Sequence, residues 1–393
     1  MSTPRRRVAL MLDLEWLYGR HSAVFAGTQR YAQECGRWDC VVDEFVDHSL
    51  GVRGERRSAY DGIIARATRS AAEQSRRRRI PLVNVWLNSP TRRLPGVFPD
   101  FAAHGRLAAE HLLGRGFRHF GCLSSRGSRS HRRLIEAFHT TLAEHGYECD
   151  CMTVSTQPVR SRENWGRFQN VLDRWCRRRT APVGVLSAFN DLAGRFFCNA
   201  CHRNGLRVPQ DVAMVNGSNE PELCLQPPPS LTALNLDYER VGYEAARMLD
   251  EMMAGRTPAE TVLLIPPAGL VARQSTDFFA VTNETVVAAM RFIERRHAEA
   301  IDVNDVAAAV HASRRTLERR FHAEVGHGVA AEIRRLRMEH ARRLLVDTGL
   351  SMKEVAAAAG FRGAVQLNHA FQRSFGQSPR AVRHASPRTN RPG

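Results

Sequence analysis

Arg314, Arg315, Glu318 and Arg319 fall within six residues of one another, and Gln366, Asn368, His369 and Arg373 form a second polar group about fifty residues later. A guanidinium can grip guanine O6 and N7 with two hydrogen bonds, a carboxylate can accept from cytosine N4, and amides pair with adenine. The chemistry on offer is the reading of base edges in a duplex. Each arginine could instead neutralise a phosphate, which positions a protein without reading sequence. Leu317 and Phe321, spaced i,i+4, point to the other side of the same helix and hold it on a core. Arg314, Arg315, Glu318 and Arg319 are left facing outward, with Arg315, Glu318 and Arg319 expected at base edges.

These residues need elements to present them. Val306-Ala307-Ala308-Ala309-Val310 reads as a small first helix, His311-Ala312-Ser313 as a turn, and Arg314 to Phe321 as a second helix. Val355-Ala356-Ala357-Ala358-Ala359-Gly360-Phe361, with Leu367 and Phe371, repeats the pattern. A helix-turn-helix places its second helix in the major groove. Residues 285–295 form a preceding helix with Val286, Ala289, Met290 and Ile293 on one face. Residues 330–346 join the two motifs as a helix with Ile333, Leu336, Ala341, Leu344 and Leu345 as its core stripe, and Gly349 is expected to cap it. Seventeen residues at about 1.5 Å each span about 25 Å. That rigid spacer suits successive major-groove faces about 34 Å apart.

The 393-residue chain is long enough for two or three domains, and its 43% hydrophobic content supplies a packed core. No run approaches eighteen apolar residues; the nearest, 261–272, holds Pro266 and Pro267. The basic start runs into 8–12, too short for a secretory leader, so a soluble cytoplasmic protein with no membrane partner is expected. The net charge of +17 fits a polyanionic partner. Lys353 is the only lysine, so part of that excess reflects a general arginine bias. From Asn283 onward, 19 basic residues face 11 acidic ones, a denser excess than in the rest. The nine cysteines show no repeating spacing. Cys198-Asn199-Ala200-Cys201 lies in a helical pattern and reads as small buried thiols, so reduced cysteines with no metal and no cofactor are expected. No nucleophile elbow, phosphate-binding glycine loop or His-Glu-x-x-His motif occurs, and no catalytic set emerges.

Upstream, β-rich runs at residues 8–12, 40–45, 62–65, 81–86, 120–124, 183–187 and 212–216 alternate with amphipathic stretches at 103–115, 132–145, 167–177 and 192–204. That order implies parallel α/β architecture with right-handed crossovers, and about 270 residues supply two lobes. Asp61-Gly62-Ile63-Ile64, the helix ending at Gly116, Asn190-Asp191, Val208-Pro209-Gln210-Asp211-Val212-Ala213 and Leu270-Val271-Ala272-Arg273-Gln274-Ser275-Thr276 occur in one order. Together they resemble the sugar-sensing core of LacI/GalR-type repressors, and residues 285–384 resemble the AraC/XylS-type DNA-binding domain. The combination resembles the xylose operon regulator family.

The resemblance implies an α/β two-lobed, periplasmic-binding-protein-like (type I) sensor at 1–276, with a small ligand clamped between lobes that join near 101–104, 235–238 and 265–267. A linker at 277–284 would precede an all-α double helix-turn-helix domain at 285–384, with a disordered tail at 385–393. Sugar recognition needs groups that pair hydroxyls and an apolar wall for the ring. Glu15 (with Asp13 as alternative), Trp16 and Tyr18 follow the first strand, and Arg126 follows a later one. Asp191 matches the family's ligand-loop acid or serves as a helix N-cap. Asn219 keeps an amide, while Ser218 stands where the family usually carries an acid. In the second motif Gly363, Ala364 and Val365 replace the family's polar residues, leaving Gln366, Asn368, His369 and Arg373, with Val365 placed to meet a thymine methyl. The expected protein is a homodimeric, sequence-specific transcription regulator of carbohydrate-use genes. Its partners would be an operator duplex, a small sugar (xylose or another pentose or polyol) and, for an activator, RNA polymerase.

Overall fold

β-branched apolar runs separated by amphipathic stretches fold as two parallel-rich sheets followed by a helical segment. The structure, a computed structural model, describes residues 5–14, 19–50, 59–154, 161–178, 182–188, 191–375 and 378–384. The chain begins β1 (Arg6–Met11), α1 (Arg20–Cys35), β2 (Trp38–Val42), α2 (Val46–Ser49), β3 (Gly62–Ala65), α3 (Arg69–Arg78), β4 (Leu82–Asn84) and β5 (Gly96–Pro99). Next come α4 (Phe101–Gly114), β6 (Phe120–Ser125), α5 (Arg129–Glu144), β7 (Cys149–Val154), α6 (Arg162–Arg177), β8 (Val183–Ser187), α7 (Asp191–Arg203), β9 (Val212–Asn216) and α8 (Pro221–Leu225). They are followed by β10 (Thr232–Asn235), α9 (Tyr238–Met253), β11 (Val262–Ile265) and β12 (Gly269–Val271). The helical segment holds α10 (Glu284–Arg296), α11 (Val303–Ala309), α12 (Arg314–Val325), α13 (Val329–Asp347), α14 (Met352–Ala358), α15 (Ala364–Phe375) and α16 (Pro379–His384).

Two compact units divide the chain. The first holds residues up to 104, 127–133 and 236–267; its sheet runs β11-β5-β4-β3-β1-β2. The crossings at 104/105, 235/236 and 267/268 adjoin or lie within the three hinge segments read from the sequence. One face of this sheet is covered by α1 and α9, whose Val24, Val241, Ala245 and Leu249 share a core with Val8, Leu10 and Ile64. The two helices approach through glycines: a Cβ at Gly27 would lie 1.8 Å from the Glu239 carbonyl oxygen, and one at Gly242 2.0 Å from that of Val24. Only a residue without a side chain permits that backbone contact. The other face packs Ala9, Ile63 and Leu82 against Val46 and Leu50.

The second unit holds 105–126, 134–235 and 268 onward, with sheet order β12-β10-β9-β8-β6-β7. Every pairing in it is parallel except β10 with β12. The closing Ser275-Thr276 pair is fully buried. Ser275 Oγ donates to the Met214 carbonyl at 2.7 Å, and Thr276 Oγ1 contacts His111 Nε2 at 2.9 Å. The helical segment contains two small cores. Val286, Ile293, Val306, Leu317, Phe321 and Ile333 form one, and Met338, Ala341, Leu345, Val355, Leu367 and Phe371 the other. The long α13 supplies residues to both, so it acts as the spacer that its sequence stripe implied.

Three strands match the sequence reading fully, at 62–65, 183–187 and 212–216. β5, β7, β10, β11 and β12 were not anticipated. Four of these five are only three or four residues long, while β7 and β11 are edge strands, with Val262 43% and Leu264 39% exposed on β11. An edge strand does not need the apolar run that marks a central one. Gly349 does not cap α13. The helix ends at Thr348, whose N–H donates to the Leu344 carbonyl. The expectation of wholly reduced cysteines is also overturned: Cys122 and Cys151 are cross-strand neighbours joined by a disulfide. Their separation of 29 residues carries no spacing signal. Cys198 and Cys201 are buried, as expected.

Candidate functional sites

The first helix-turn-helix is set by its caps. Asp302 and Asp305 form a capping box at the start of α11, and Ser313 caps α12 by accepting from the Thr316 N–H. Capping satisfies the orphan N–H groups at each helix start. Leu317 and Phe321 are fully buried, which fixes the roll of α12 about its axis. Arg314, Arg315 and Arg319 are consequently exposed. Among the described residues, none of the three enters a hydrogen bond or ion pair within the protein. They are cations held on a rigid helix with their donors open to solvent. Glu318 is placed differently: half-buried, its carboxylate accepts from the Val329 N–H at 3.3 Å. That helix has no side-chain cap of its own at Gly328, so Glu318 provides the negative group that a helix N-terminus favours.

In the second motif, Ser351 and Glu354 form a capping box before α14, and Leu367 and Phe371 are fully buried. Val365 is 72% exposed, while Asn368 is half-buried and His369 and Arg373 are exposed. Gln366 accepts from the Arg362 N–H at 2.8 Å, which occupies its amide oxygen at the start of α15. Gln366, His369 and Arg373 line a groove of about 1130 Å³ together with Arg334, Arg337 and Ile301. Arg337, which the sequence did not single out, donates to the carbonyls of His297, Glu299 and Ile301 at 2.7–2.9 Å. It ties α13 to the turn between α10 and α11.

Within the first unit, a pocket of about 520 Å³ opens at the carboxyl ends of β1, β3, β4 and β5. Ligands of open α/β sheets bind at that end, where the loops converge. Leu12, Trp86, Phe98, Phe101 and Tyr238 give it apolar and aromatic walls, and Arg20, His21, Arg66 and Asn88 give it polar groups. The Arg66 guanidinium lies 4.4 Å from the Trp86 ring centre and pairs with Asp13. His21 Nδ1 contacts the Asp13 carbonyl at 2.8 Å, and burial holds its imidazole below the usual range, so it is neutral near pH 7. Asp13 was the alternative acid in the sequence reading; here it anchors Arg66 and His21. Its N–H and that of Leu14 donate to Glu44 at 2.7 and 3.1 Å. Glu15, Trp16 and Tyr18 lie outside the described residues.

Of the candidates in the second unit, Asn219 accepts from Arg273 Nη2 at 2.7 Å, and Arg273 also donates to the Leu231 carbonyl. Ser218 is half-buried beside it, Arg126 is exposed in the turn after β6, and Asp191 opens α7. Sequence reasoning quoted Arg273 within a motif without assigning it a task. It also passed over Arg66, Arg20 and Asn88, because polar residues after short strands carry no periodic signal.

Comparison with known proteins places this geometry. A periplasmic binding protein-like domain model matches residues 109–276, and a helix-turn-helix domain model matches 306–385. The xylose operon regulatory protein of Escherichia coli (strain K12) is 27% identical, the match covering 98% of each chain. The namesake protein of Haemophilus influenzae is 26% identical over 96% of this chain and 98% of its own. A solved structure described as the xylose-binding transcription activator xylR superposes with a TM-score of 0.59 at 25% identity, covering 98% of this chain and all of that one. Over nearly its whole length the chain resembles regulators of the xylose-operon type.

The protein is thus a DNA-binding transcription regulator with a two-lobed α/β sensor and a C-terminal helix-turn-helix reader. Among its described residues no helix is long and apolar enough to cross a membrane. Within the second unit the regulator joins sensor to reader by specific contacts. Residues 277–283 form no helix or strand, yet the Ala280 N–H donates to the Arg115 carbonyl at 2.8 Å. The Arg115 guanidinium pairs with Glu294 at 2.7 Å and lies 4.7 Å from the Phe279 ring centre. Arg118 donates to the Glu324 carbonyl.

Glu332 on α13 centres a charged cluster in the regulator. It pairs with Arg335 at 2.7 Å and His327 at 2.9 Å, and its side chain is 4% exposed. Burial pushes its carboxyl up, but Arg335 and His327 outweigh that and hold it at about 2. A carboxyl depressed below its unfolded value of about 4.3 stabilises the fold above that pH and loses the contribution as pH falls toward the folded value. Glu332→Gln should therefore cost about 2–3 kcal/mol near neutrality, with Arg335 partly exposed and its share reduced accordingly. Denaturant titrations should show the gap from the parent closing progressively between about pH 5 and about pH 1. A gap that stays constant with pH would refute the assignment.

Proposed function

We propose that the regulator reads operator DNA through Arg314, Arg315 and Arg319 on α12, with α15 as a second, more apolar reader. A neutral sugar at the carboxyl ends of β1, β3, β4 and β5 controls that binding. The observation that carries the reading is three exposed arginines that make no hydrogen bond or ion pair among the described residues, on a helix whose opposite side is locked by Leu317 and Phe321. Such donors are pre-organised for guanine edges. Val365, 72% exposed, offers the methyl contact that a thymine accepts. The full-length relatives are named for the xylose operon, and one solved relative is described as a xylose-binding activator. Xylose is accordingly the first effector to test, ahead of other pentoses and polyols. The same likeness supports a cytoplasmic homodimer on paired half-sites that recruits RNA polymerase, with no catalytic step of its own.

Selection of bound duplexes from a random pool, followed by footprinting with and without a sugar panel, tests the reading. It expects a recurring site whose occupancy changes with one sugar. Binding of all duplexes alike would leave only a sugar-binding protein with a basic tail. In the pocket, Trp86→Ala removes the aromatic wall and should weaken the sugar by about tenfold to a hundredfold, at about 1.4 kcal/mol per factor of ten. Calorimetric titration that finds the affinity unchanged would place the sugar elsewhere.

A further inference from the structure

Three cysteines and a histidine that no sequence motif connects meet on one face of the second sheet. Cys149 and Cys151 are two apart on β7, so they share a side of the strand. Cys151 is the register partner of Cys122 on β6, with Cα atoms 4.6 Å apart. Helix α5 brings His139 Nε2 to 3.6 Å from Cys122 Sγ. The donor atoms of Cys122, His139 and Cys149 all lie within 4.8 Å of one another, and Cys151 is bonded to Cys122. Four donors of the kinds that bind zinc therefore occupy one small volume.

We propose that, with the Cys122–Cys151 bond reduced, Cys122, Cys149, Cys151 and His139 form a four-ligand site for zinc(II) or a divalent cation of like chemistry. Zinc–sulfur bonds of about 2.3 Å and zinc–nitrogen bonds of about 2.0–2.1 Å in a tetrahedron space the donors about 3.5–3.8 Å apart. Cys122 and His139 already stand at that spacing, and Cys149 needs to move by about 1 Å at most to reach it. β7 is the edge strand of its sheet, Cys149 is half-buried and Cys151 exposed. A cation can arrive from solvent without opening the core.

Disulfide and metal exclude one another, because two of the four ligands are the bonded pair. A dithiol reductant gives two electrons and two protons to the Cys122–Cys151 bond, becoming a disulfide itself and leaving two thiols. The cation then displaces one proton from each thiol that coordinates it, while His139 binds through its neutral nitrogen. Metal occupancy thus reports the reduced state of this lobe.

The test uses the full chain, reduced with a dithiol, desalted without oxygen and titrated with cobalt(II). One ion per chain should bind, with thiolate-to-cobalt charge-transfer absorption and tetrahedral ligand-field bands, and zinc(II) should displace it. Loss of an outer partner alone costs about 10–100-fold in metal affinity, so Cys149→Ser and His139→Ala should each weaken cobalt by about a hundredfold or more. Cys198→Ser, remote in the buried core, should leave it unchanged, and the oxidised protein should bind none. Circular dichroism of the metal-free variants checks that they are folded. A reduced protein lacking the charge-transfer band, or folded Cys149→Ser and His139→Ala variants with the parent's band and affinity, would overturn the proposal.

Discussion

Replacing Arg314, Arg315 and Arg319 together by alanine should abolish sequence-specific DNA binding while leaving the protein folded. Each arginine that grips a guanine edge contributes about 1–3 kcal/mol of discrimination. Specific sites exceed non-specific ones by about 4–10 kcal/mol, so losing three such contacts removes most of that margin, a weakening of about a thousandfold or more. The side chains are exposed and make no hydrogen bond or ion pair within the protein among the described residues, so stability should change by less than about 0.5 kcal/mol. Fluorescence anisotropy with the selected site and a scrambled duplex separates two outcomes. If the arginines read bases, affinity for the selected site should fall to that for the scrambled one. If they only neutralise phosphate, both duplexes weaken alike, the preference survives, and the salt dependence flattens. Glu318→Ala gives a contrasting pattern: it uncaps α13 and should cost about 1 kcal/mol of stability.

The reader was largely legible in the sequence, because helix-turn-helix geometry rests on local rules. The buried i,i+4 pairs at Leu317/Phe321 and Leu367/Phe371 follow from spacing within one or two turns, while the caps at Asp302, Ser313 and Ser351 emerge from the structure. Central strands were legible for a related reason: β8 and β9 are buried along their whole length and read as continuous apolar runs. Legibility ended where a side chain's partner lies far along the chain. Glu318 reads as a base-contacting acid until the fold brings Val329 to it. Arg195 carries no signal in the sequence, and it is buried and donates to the carbonyls of Leu223, Cys224, Pro227 and Pro229. The pocket residues Arg66 and Trp86 come from separate βα loops, and only the parallel sheet sets them side by side. Cys122 and Cys151 met through strand register, which spacing does not encode.

Phe321→Ala should unfold the reader and spare the sensor. Phe321 is fully buried in a core of about a dozen side chains that includes Val286, Ile293, Val306, Leu317 and Ile333. Truncating a buried phenylalanine costs about 3–5 kcal/mol, the transfer term plus the cavity left behind. The whole stability of an ordinary domain is about 5–15 kcal/mol, and this core is smaller than most. Among the described residues, the core clusters that contain Leu10, Ile63 and Val185 include none of these side chains, so the sensor's packing there should not feel the change. Calorimetry should show an early transition that is absent from the parent, together with a retained sugar-stabilised one. Gel shifts should show specific binding lost, although the three arginines are untouched. The pairing of the two variants is informative because they fail in different ways: the arginine triple keeps its melting profile and loses sequence preference, whereas Phe321→Ala loses both. A Phe321→Ala protein that melts as the parent does and still selects its site would mean that α12 is not held by this core, and the orientation assigned to its arginines would fall with it.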